Sequence, residues 1–254
     1  MDDATFVERL LAWYGAAGRD LPWRRTRDPY AILVSEVMLQ QTQVSRVVER
    51  YTAWLRRWPT AAALADATPG DVIAAWSGLG YNRRAVSLHR AAQALARDGW
   101  PRDAVALRAL PGVGPYTASA IAVQAFGADE LPVDVNIRRV LERALPRIAT
   151  LRAPAGRASE LTQALFDLGA TVCIARRPRC DRCPLASGCP SRGRTFAPER
   201  RQGPFEGSRR QARGALLRRL AVGPVPVADA DPAIVAGLVG DGLAVVRGGL
   251  VSLP

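Results

Sequence analysis

The stretch Leu110-Pro111-Gly112-Val113-Gly114-Pro115-Tyr116-Thr117 decides the fold that we expect. Glycine takes backbone angles that a β-carbon forbids, so Gly112 and Gly114 can turn successive N–H groups outward while Val113 packs inward. A helix beginning near Thr117 adds the positive end of its dipole. The stretch predicts a helix-hairpin-helix that binds a phosphate without a charged side chain. Gly-x-Gly alone is more often a plain connector between helices, so the rest of the chain must decide.

The composition indicates a basic, compact protein. The chain has 254 residues and a net charge of +12, and all 35 basic residues are arginine, with no lysine. This length suffices for one or two compact units with a small appendage. The charge favours nucleic acid as the partner, although arginine bias also follows from a GC-rich coding sequence. An acidic N-terminus without a long apolar run predicts neither signal peptide nor membrane span, and hence a cytoplasmic, nucleoid-associated protein.

Apolar residues recur at helical intervals over most of the chain, and strand-like alternation is scarce before residue 190. The pattern predicts a mainly α fold, with Leu21–Arg25 as a non-helical link. The predicted helices are 4–14, 29–40, 44–58, 69–76, 83–98, one from 117, one after Asp134, and 158–169.

Two acidic residues are candidates for chemistry. Glu36 lies between Leu33 and Val37 in a helix that is apolar nearly all round, so we expect this helix to be buried. An ionised carboxylate there is costly unless paired, which predicts a raised pKa for Glu36 or a position in a cleft. The alternative is a glutamate on one solvated edge. Asp134 precedes a helix and could be its N-cap, a role compatible with catalysis because a cap holds the carboxylate rigidly.

Four cysteines lie within 17 residues, separated by six, two and five residues: Cys173, Cys180, Cys183 and Cys189. Four thiolates so close together can ligate one metal centre. Zinc sites usually contain two Cys-x2-Cys pairs, whereas a 4Fe-4S cluster tolerates unequal spacing, and zinc remains the alternative. Arg176, Arg177, Arg179 and Arg182 lie among the cysteines, so this metal loop also favours docking on a phosphate backbone.

The chain resembles adenine DNA glycosylases of the MutY type, which belong to the helix-hairpin-helix base-excision superfamily that includes endonuclease III. The resemblance covers about Leu10 to Cys189. Its most specific part is the block that begins at Ser35. The motifs that carry it are Leu21-Pro22-Trp23-Arg24, Ser35-Glu36-Val37-Met38-Leu39-Gln40-Gln41-Thr42-Gln43, Gly78-Leu79-Gly80-Tyr81, Leu110-Pro111-Gly112-Val113-Gly114, Asp134-x-Asn136 and the cysteine loop.

The resemblance implies a two-lobed helix-hairpin-helix glycosylase fold at residues 1–190, with an iron-sulfur cluster loop. A six-helix lobe is expected at about 22–130 and a cluster lobe at 1–21 plus 131–190. The implied cofactor is one 4Fe-4S cluster, with a monovalent cation at the hairpin as a further candidate. The implied reaction is removal of adenine mispaired with 8-oxoguanine or guanine, by a monomer acting on double-stranded DNA.

The family's catalytic residues map onto four positions. Glu36 corresponds to the acid that protonates N7 of the extruded adenine, and Asp134 to the carboxylate that stabilises or captures the sugar cation. Asn136 corresponds to the residue that orients the acid, and Tyr116 lies beside the sugar. The chemistry is consistent, because adenine leaves only when protonated and a fixed anion stabilises the remaining cation.

Other positions correspond to contacts with the base and the duplex. Those that line or close the base pocket are Trp23, Arg24 and Gln163. Those implied in DNA binding are Gln41, Tyr81, Asn82, Gly112, Val113 and Gly114. Extrusion of the base requires residues that enter the duplex and a pocket that receives the base.

Bifunctional relatives cleave the DNA backbone through a lysine Schiff base in the hairpin. Tyr116 occupies that position here, and the chain contains no lysine. We therefore predict base excision without an efficient lyase step.

Two departures from the family pattern leave the substrate open. Asn82 stands where relatives usually have a second tyrosine, and it offers no ring for stacking on 8-oxoguanine. Asp134-Val135-Asn136 replaces the familiar Asp-Gly-Asn. Only 65 residues follow Cys189, too few for the Nudix-like domain of many relatives. The alternatives are the same mechanism on hypoxanthine, or on thymine or uracil opposite guanine, and a non-catalytic iron-sulfur DNA-binding regulator.

The C-terminal region predicts a small winged-helix-like module. Residues 191–207 have the composition of a linker, 208–220 and 232–239 predict helices, and 243–253, with Gly248-Gly249 at the centre, predicts a hairpin. Residues 191–220 contain nine arginines and only two glutamates, so we expect this basic tail to lie along the duplex. The alternative is a solvated, partly disordered basic tail.

Overall fold

The computed structural model describes residues 1–145, 151–197 and 203–254. The helices in chain order are α1 (Asp3–Ala17), α2 (Pro29–Leu39), α3 (Val44–Arg57), α4 (Ala61–Ala65), α5 (Pro69–Ala75), α6 (Arg83–Asp98), α7 (Ala104–Leu107), α8 (Pro115–Phe126), α9 (Val135–Ala144), α10 (Ala158–Thr171), α11 (Arg209–Leu220) and α12 (Pro232–Gly240). Three short strands follow α11: β1 (Val225–Pro226), β2 (Val245–Arg247) and β3 (Leu250–Ser252). The mainly helical fold is therefore confirmed. No helix in the described ranges is long and apolar enough to cross a membrane.

Contacts divide the chain into two units. The first unit contains Met1–Pro29, Arg102–Leu107 and Gly114–Arg201, and the second contains Tyr30–Pro101, Arg108–Val113 and Gln202–Pro254. This grouping differs from the predicted lobes, because α8 belongs with the cysteine loop and the C-terminal residues belong with the α2–α6 helices.

In the first unit α1, α9 and α10 pack around one apolar core. Phe6, Leu10, Ile137, Leu161 and Leu165 are fully buried in it. The partly buried Cys173, Cys183 and Cys189 pack against the same core. The position of the cysteine loop therefore depends on the packing of these three helices.

In the second unit α2 is buried on nearly all sides. Every residue from Tyr30 to Met38 is buried. This agrees with the prediction from its composition, since a helix without a polar face has to be enclosed. The amphipathic α6 packs on α4 and α5.

The C-terminal module consists of α11, α12 and an antiparallel sheet in the order β1-β3-β2. Val225 pairs with Val251, and Val246 pairs with the same residue from the other side. The chain order of helix, strand, helix and hairpin, with Gly248 and Gly249 both at positive φ in the turn, agrees with the predicted winged-helix-like form. The module's core also includes Ile73 of α5, so the module is packed onto the helices of its unit.

Several boundaries differ from the sequence prediction. The link at 21–25 contains a 3-10 turn, Pro22–Arg24, because proline suits a helical first position. Helix α8 begins at Pro115, two residues early, because Gly114 is its extended N-cap. The short α4, α7 and β1 were not predicted. The predicted linker 191–207 includes residues 198–202, which lie outside the described residues, and just before them Phe196 stacks under the Arg143 guanidinium, 3.4 Å from the ring centroid.

Candidate functional site: two carboxylates, a hairpin and a cysteine loop

Glu36 lies in the buried helix α2 of the second unit. Its exposed fraction is 8%, so the predicted burial is confirmed and the solvated-edge alternative is wrong. The residues on either side, Ser35 and Val37, are 1% and 2% exposed. A carboxyl group in these surroundings is disfavoured as an anion unless hydrogen bonds or charges compensate.

The chain leaves α2 in a tight turn at Gln40-Gln41-Thr42. Gln41 has a φ of 57°, in the left-handed region, and its side chain is exposed. A second loop of this unit, Ser77 to Asn82, contains Tyr81 with a φ of 47° and an exposed fraction of 50%. A non-glycine residue in this region costs about 1 kcal/mol or more. We call these segments, residues 40–42 and 77–82, the insertion loops, because both predicted duplex-entering side chains lie on them.

Arg84 of α6 joins the two insertion loops from inside. One terminal nitrogen donates to the carbonyls of Val37, Met38 and Gln40 at 2.7, 2.9 and 2.6 Å. The other donates to Thr42 Oγ1 at 3.0 Å and to the carbonyls of Leu79 and Gly80 at 3.2 and 2.9 Å. Burial lowers the pKa of Arg84 to about 10.

The hairpin differs in one respect from its prediction. Gly112 has a φ of 77°, and a β-carbon there would lie 2.7 Å from Ser87 Cβ. Glycine is therefore required both by the backbone conformation and by the lack of space for a side chain. Gly114 has a φ of −83°, which any residue adopts, and the space beside it is open. The predicted special backbone angle at Gly114 is therefore wrong. Val113 is 6% exposed and packs inward as predicted.

Asp134 in the first unit is the N-cap of α9, as the sequence predicted. Its Oδ1 accepts from the Ile137 N–H at 2.7 Å, and its Oδ2 accepts from Asn136 Nδ2 at 2.7 Å. Arg139 in turn donates to Asn136 Oδ1 at 2.9 Å and to the Cys173 carbonyl at 2.9 Å. A continuous series of hydrogen bonds thus runs from the first cysteine of the loop to the Asp134 carboxylate.

The predicted base-pocket residues lie near a buried ion pair. Arg24 makes a bidentate contact with Asp167, with N···O distances of 2.7 and 2.8 Å. Arg19 also binds Asp167, through its side chain and its N–H. Burial raises the pKa of Asp167, but the hydrogen bonds from Arg24 and Arg19 outweigh it and the net pKa is lowered.

Gln163 lies on α10, one turn before Asp167. Its Oε1 accepts from the Tyr14 hydroxyl at 2.8 Å, and the Arg24 guanidinium lies 5.6 Å from the centre of the Tyr14 ring. Two of the three predicted pocket residues are therefore linked through Tyr14. The third, Trp23, is 5% exposed in the same unit.

Tyr116 lies in the first turn of α8. Its ring meets the Phe166 ring edge to face, with centroids 5.9 Å apart. Phe166 precedes Asp167 on α10, so Tyr116 is packed against the helix that also carries Gln163.

The four cysteine side chains line one cavity with apolar walls that include Val140, Leu168 and Leu185. Burial raises the pKa of the Cys183 thiol to about 11 and also raises the pKa of Cys189. Arg143 donates to the carbonyls of Ile174 and Ala175, and its guanidinium lies 3.7 Å from Cys173 Sγ. Four cysteines that line one cavity, with the Arg143 guanidinium beside one of them, fit an anionic iron-sulfur cluster.

Sequence reasoning missed Arg84, Arg139 and Asp167. Arg84 had a recognisable signal, because it precedes Leu88 by four residues on the apolar face of α6. Asp167 lies in Leu165-Phe166-Asp167-Leu168, the same kind of apolar setting that singled out Glu36. Arg139 carries no comparable local signal.

Comparisons with known proteins agree with this site. Residues 34–152 match the HhH-GPD superfamily base excision DNA repair protein model, and residues 173–189 match the iron-sulfur binding domain of endonuclease III. An adenine DNA glycosylase of Mycolicibacterium smegmatis is 46% identical over 87% of this chain and 82% of its own length. The Homo sapiens adenine DNA glycosylase is 42% identical over 74% of this chain and 40% of its own length.

Solved structures show the same fold. A thermostable thymine-DNA glycosylase matches with a TM-score of 0.69 and 28% identity, over 74% of this chain and 95% of its own. Endonuclease III in a trapped covalent intermediate with DNA matches with a TM-score of 0.64 and 21% identity, over 75% and 97%. The loop at 173–189 binds a 4Fe-4S cluster. The chain belongs to the adenine DNA glycosylase family, within the helix-hairpin-helix superfamily of base-excision repair proteins.

Proposed function

We propose that the chain hydrolyses the N-glycosidic bond of adenine mispaired with 8-oxoguanine or guanine in double-stranded DNA. The observation that supports this most directly is the contrast between its two carboxyl groups. Glu36 is only 8% exposed within a buried helix, whereas Asp134 is part-buried and accepts two short hydrogen bonds at a helix N-terminus. Because their environments differ so much, the Glu36 carboxyl group is suited to carry a proton and the Asp134 carboxylate is suited to remain an anion.

In this mechanism Glu36 donates its proton to N7 of the extruded adenine. The bond between C1′ and N9 then breaks, and its electron pair leaves with the base. Asp134, kept in place by Asn136 and the Ile137 N–H, stabilises the positive sugar. A water molecule adds its oxygen to C1′ and returns a proton to Glu36, which leaves an abasic site and free adenine.

We further propose that the chain has no efficient lyase activity. A Schiff-base lyase requires an amine nucleophile, and the chain contains no lysine. Tyr116, which occupies the corresponding position, has no amine. The product is therefore an abasic site that alkali converts into a strand break.

The remaining site assignments are proposals of the same kind. We assign the cluster ligands to Cys173, Cys180, Cys183 and Cys189, whose iron–sulfur bonds would brace this loop when the cluster is bound. Arg24 and Gln163 would line the base pocket, and the hairpin would bind a phosphate and a monovalent cation. A monomer that lies along the duplex with its basic tail, in the nucleoid, remains a prediction.

A second candidate keeps hydrolysis of the N-glycosidic bond and changes the base. Asn82 lacks the ring that stacks on 8-oxoguanine, and one structural match at 28% identity is a thymine-DNA glycosylase. Thymine or uracil opposite guanine, or hypoxanthine, would then be the substrate.

The test is single-turnover incubation with five duplexes, containing A:8-oxoguanine, A:G, hypoxanthine:T, T:G and U:G, with and without alkali. We expect alkali-dependent breaks at adenine only. Breaks before alkali treatment would contradict the missing lyase step. Release of another base with adenine intact would select the second candidate. If Glu36→Gln and Asp134→Asn leave every measurable activity unchanged, the non-catalytic iron-sulfur DNA-binding regulator is the interpretation that survives.

A further inference from the structure

The structure assigns to Arg84 the role of a positioning residue that holds Gln41 and Tyr81 ready to enter the duplex. This inference rests on the proposed function, because it concerns how the target base is extruded. It goes beyond that function, since Arg84 itself touches neither the base nor the reacting sugar in the mechanism above.

The first argument is the number of acceptors that one side chain serves. A guanidinium has five N–H donors in a rigid plane. The side chain of Arg84 contacts six oxygens through its terminal nitrogens, and its Nε lies 3.4 Å from the Tyr81 carbonyl. All of these are neutral oxygens. They belong to the end of α2 and to the two insertion loops.

The second argument is that the contacts join two segments separated by about 40 residues. Thr42 Oγ1 accepts from Arg84 and lies 3.3 Å from the Leu79 carbonyl, so it bridges the loops directly. The Gly80 carbonyl also accepts from Trp76 Nε1 at 3.1 Å. The guanidinium is stacked between aromatic neighbours, 5.2 Å from the Trp76 ring and 5.5 Å from the Tyr81 ring.

The third argument is what these contacts support. Gln41 and Tyr81 are exposed, and both hold the left-handed backbone conformation that non-glycine residues avoid. A turn of this kind persists only where surrounding contacts over-determine it. Arg84 binds the carbonyl before Gln41 and the carbonyl before Tyr81, so it restrains both strained residues at once.

Pre-organisation explains why this matters for extrusion of a base. Side chains that enter a base stack must replace lost stacking, and any freedom they lose on entry opposes insertion. Loops that Arg84 already holds in place lose little conformational freedom when their side chains enter the duplex. Arg84 therefore acts on extrusion and leaves the later bond cleavage unaltered.

The test compares wild type with Arg84→Lys, which keeps the charge but cannot reach both loops. Single-turnover base release is measured at saturating enzyme on two duplexes. In the first duplex the base pairs beside the target base are complementary. In the second duplex these base pairs are mismatched, so that the target base leaves the stack easily. We expect a deficit of about 10- to 100-fold on the first duplex and less than about threefold on the second. A deficit of equal size on both would overturn the proposal, because loss of folded enzyme lowers both rates alike.

A 2-aminopurine next to the target reports unstacking directly. We expect its fluorescence increase on binding to be smaller with Arg84→Lys than with wild type at saturation. An unchanged increase would overturn the proposal. Arg90→Lys, at an exposed position of the same helix, is the matched control and is expected to leave both rates within about twofold.

Circular dichroism and thermal melting establish that the variants are folded. Should Arg84→Lys fail to fold, Thr42→Val replaces it as the test variant. This substitution removes only the hydroxyl that accepts from Arg84 and donates to the Leu79 carbonyl. A smaller deficit confined to the fully paired duplex supports the proposal, and an equal deficit on both duplexes contradicts it. If wild type releases no base from any duplex, the proposed function fails, while the fluorescence comparison still tests the role of Arg84.

Discussion

Glu36 and Asp134 show how strongly a carboxyl group depends on its surroundings. Glu36 lies in a helix that is buried from Tyr30 to Met38, while Asp134 caps a helix and accepts from a backbone N–H and a side-chain amide. The same functional group is thus placed to donate a proton in one case and to remain negative in the other.

We predict that Glu36→Gln lowers the single-turnover rate of adenine release by about 10²- to 10⁴-fold, the usual contribution of a general acid. Glutamine has nearly the same shape but no proton to transfer, so duplex affinity should stay within a small factor. Quantifying alkali-sensitive sites over time gives the rate. Glu49→Gln, at an exposed position of α3, is the control, and a rate equal to wild type in Glu36→Gln would remove this residue from the mechanism.

The Asn136 amide donates a hydrogen bond to one carboxylate oxygen of Asp134. Removing this amide should lower the rate of base release without abolishing it. A hydrogen bond to a charged group contributes about 1.5–3 kcal/mol. We therefore expect Asn136→Ala to lower the rate by about 10- to 100-fold at nearly unchanged duplex affinity. Arg138→Ala, at an exposed neighbouring position, serves as the comparison. Equal loss of rate in both variants would show that the amide has no special role.

At the scale of elements, helix ends and turns determine where the functional groups lie. Asp134 caps α9, Gly114 caps α8, and the insertion loops follow the end of α2 and precede α6. Each terminus presents backbone groups that the helix itself leaves unpaired, which is why sites collect there.

The hairpin offers a matched pair of substitutions. Gly112→Ala should destabilise the fold by about 1–3 kcal/mol, because its φ is positive and a β-carbon would meet Ser87. Gly114→Ala should leave the free energy of unfolding within about 0.5 kcal/mol, yet weaken DNA binding if a phosphate approaches this open backbone. Denaturant unfolding and fluorescence anisotropy on a duplex check both. A Gly114→Ala variant with unaltered affinity would contradict the phosphate site.

Asp167 ties the segment at Arg19–Arg24 to α10. Removing one partner of a buried pair costs about 3–5 kcal/mol, and the partly exposed Arg19 reduces this, so we expect about 2–4 kcal/mol for Asp167→Asn. Denaturant unfolding measures the loss. The exposed pair Arg97–Asp98 supplies the control, since Asp98→Asn should leave the free energy of unfolding nearly unchanged. If both substitutions lowered the free energy of unfolding by similar amounts, burial would not explain the contribution of the Asp167 ion pair.

The pH dependence of this ion pair has a definite sign. Because the pKa of Asp167 is lowered in the folded chain, its contribution is complete above the ordinary value of 3.8 and disappears only as pH falls through the lower folded value. The difference between wild type and Asp167→Asn should therefore be constant from neutral pH down to 3.8, and it should shrink as pH falls further, from 3.8 towards the lower folded pKa.

At the scale of the whole molecule, the C-terminal module shares its core with its unit. Ile73 of α5 is 4% exposed and belongs to the same cluster as Leu217 and Leu238 of the module. Several arginines of α11 bind within the module, among them Arg209 at the Ala233 carbonyl and Arg213 at Asp241. Part of the positive charge expected to contact DNA is therefore engaged internally.

We predict that deletion of residues 208–254 lowers the melting temperature and exposes apolar surface, because Ile73 and Val86 lose their cover. Thermal melting and binding of a hydrophobic dye measure the effect. Val222→Ala, at a 93% exposed position of the module, is the control. Unchanged melting after the deletion would show that the module is an independent appendage.

The sequence by itself determined the helical class, the family, the cysteine loop, the cap at Asp134 and the burial of the helix that carries Glu36. The family follows from the resemblance of the motifs to those of known proteins. The others follow from local patterns: apolar periodicity, a residue type at a helix start, or fixed spacing within a few residues. The absence of lysine is a fact of composition that no structure can alter.

Only the tertiary structure decided what Arg84, Arg139 and Asp167 bind, and that the module's core includes α5. The partners of Asp167 are 143 and 148 residues away along the chain, and those of Arg139 in the cysteine loop are 34 away. A side chain's local sequence shows that it will be buried but not which distant carbonyl or carboxylate will meet it. That depends on how whole helices pack, and packing follows from the shape of the entire core.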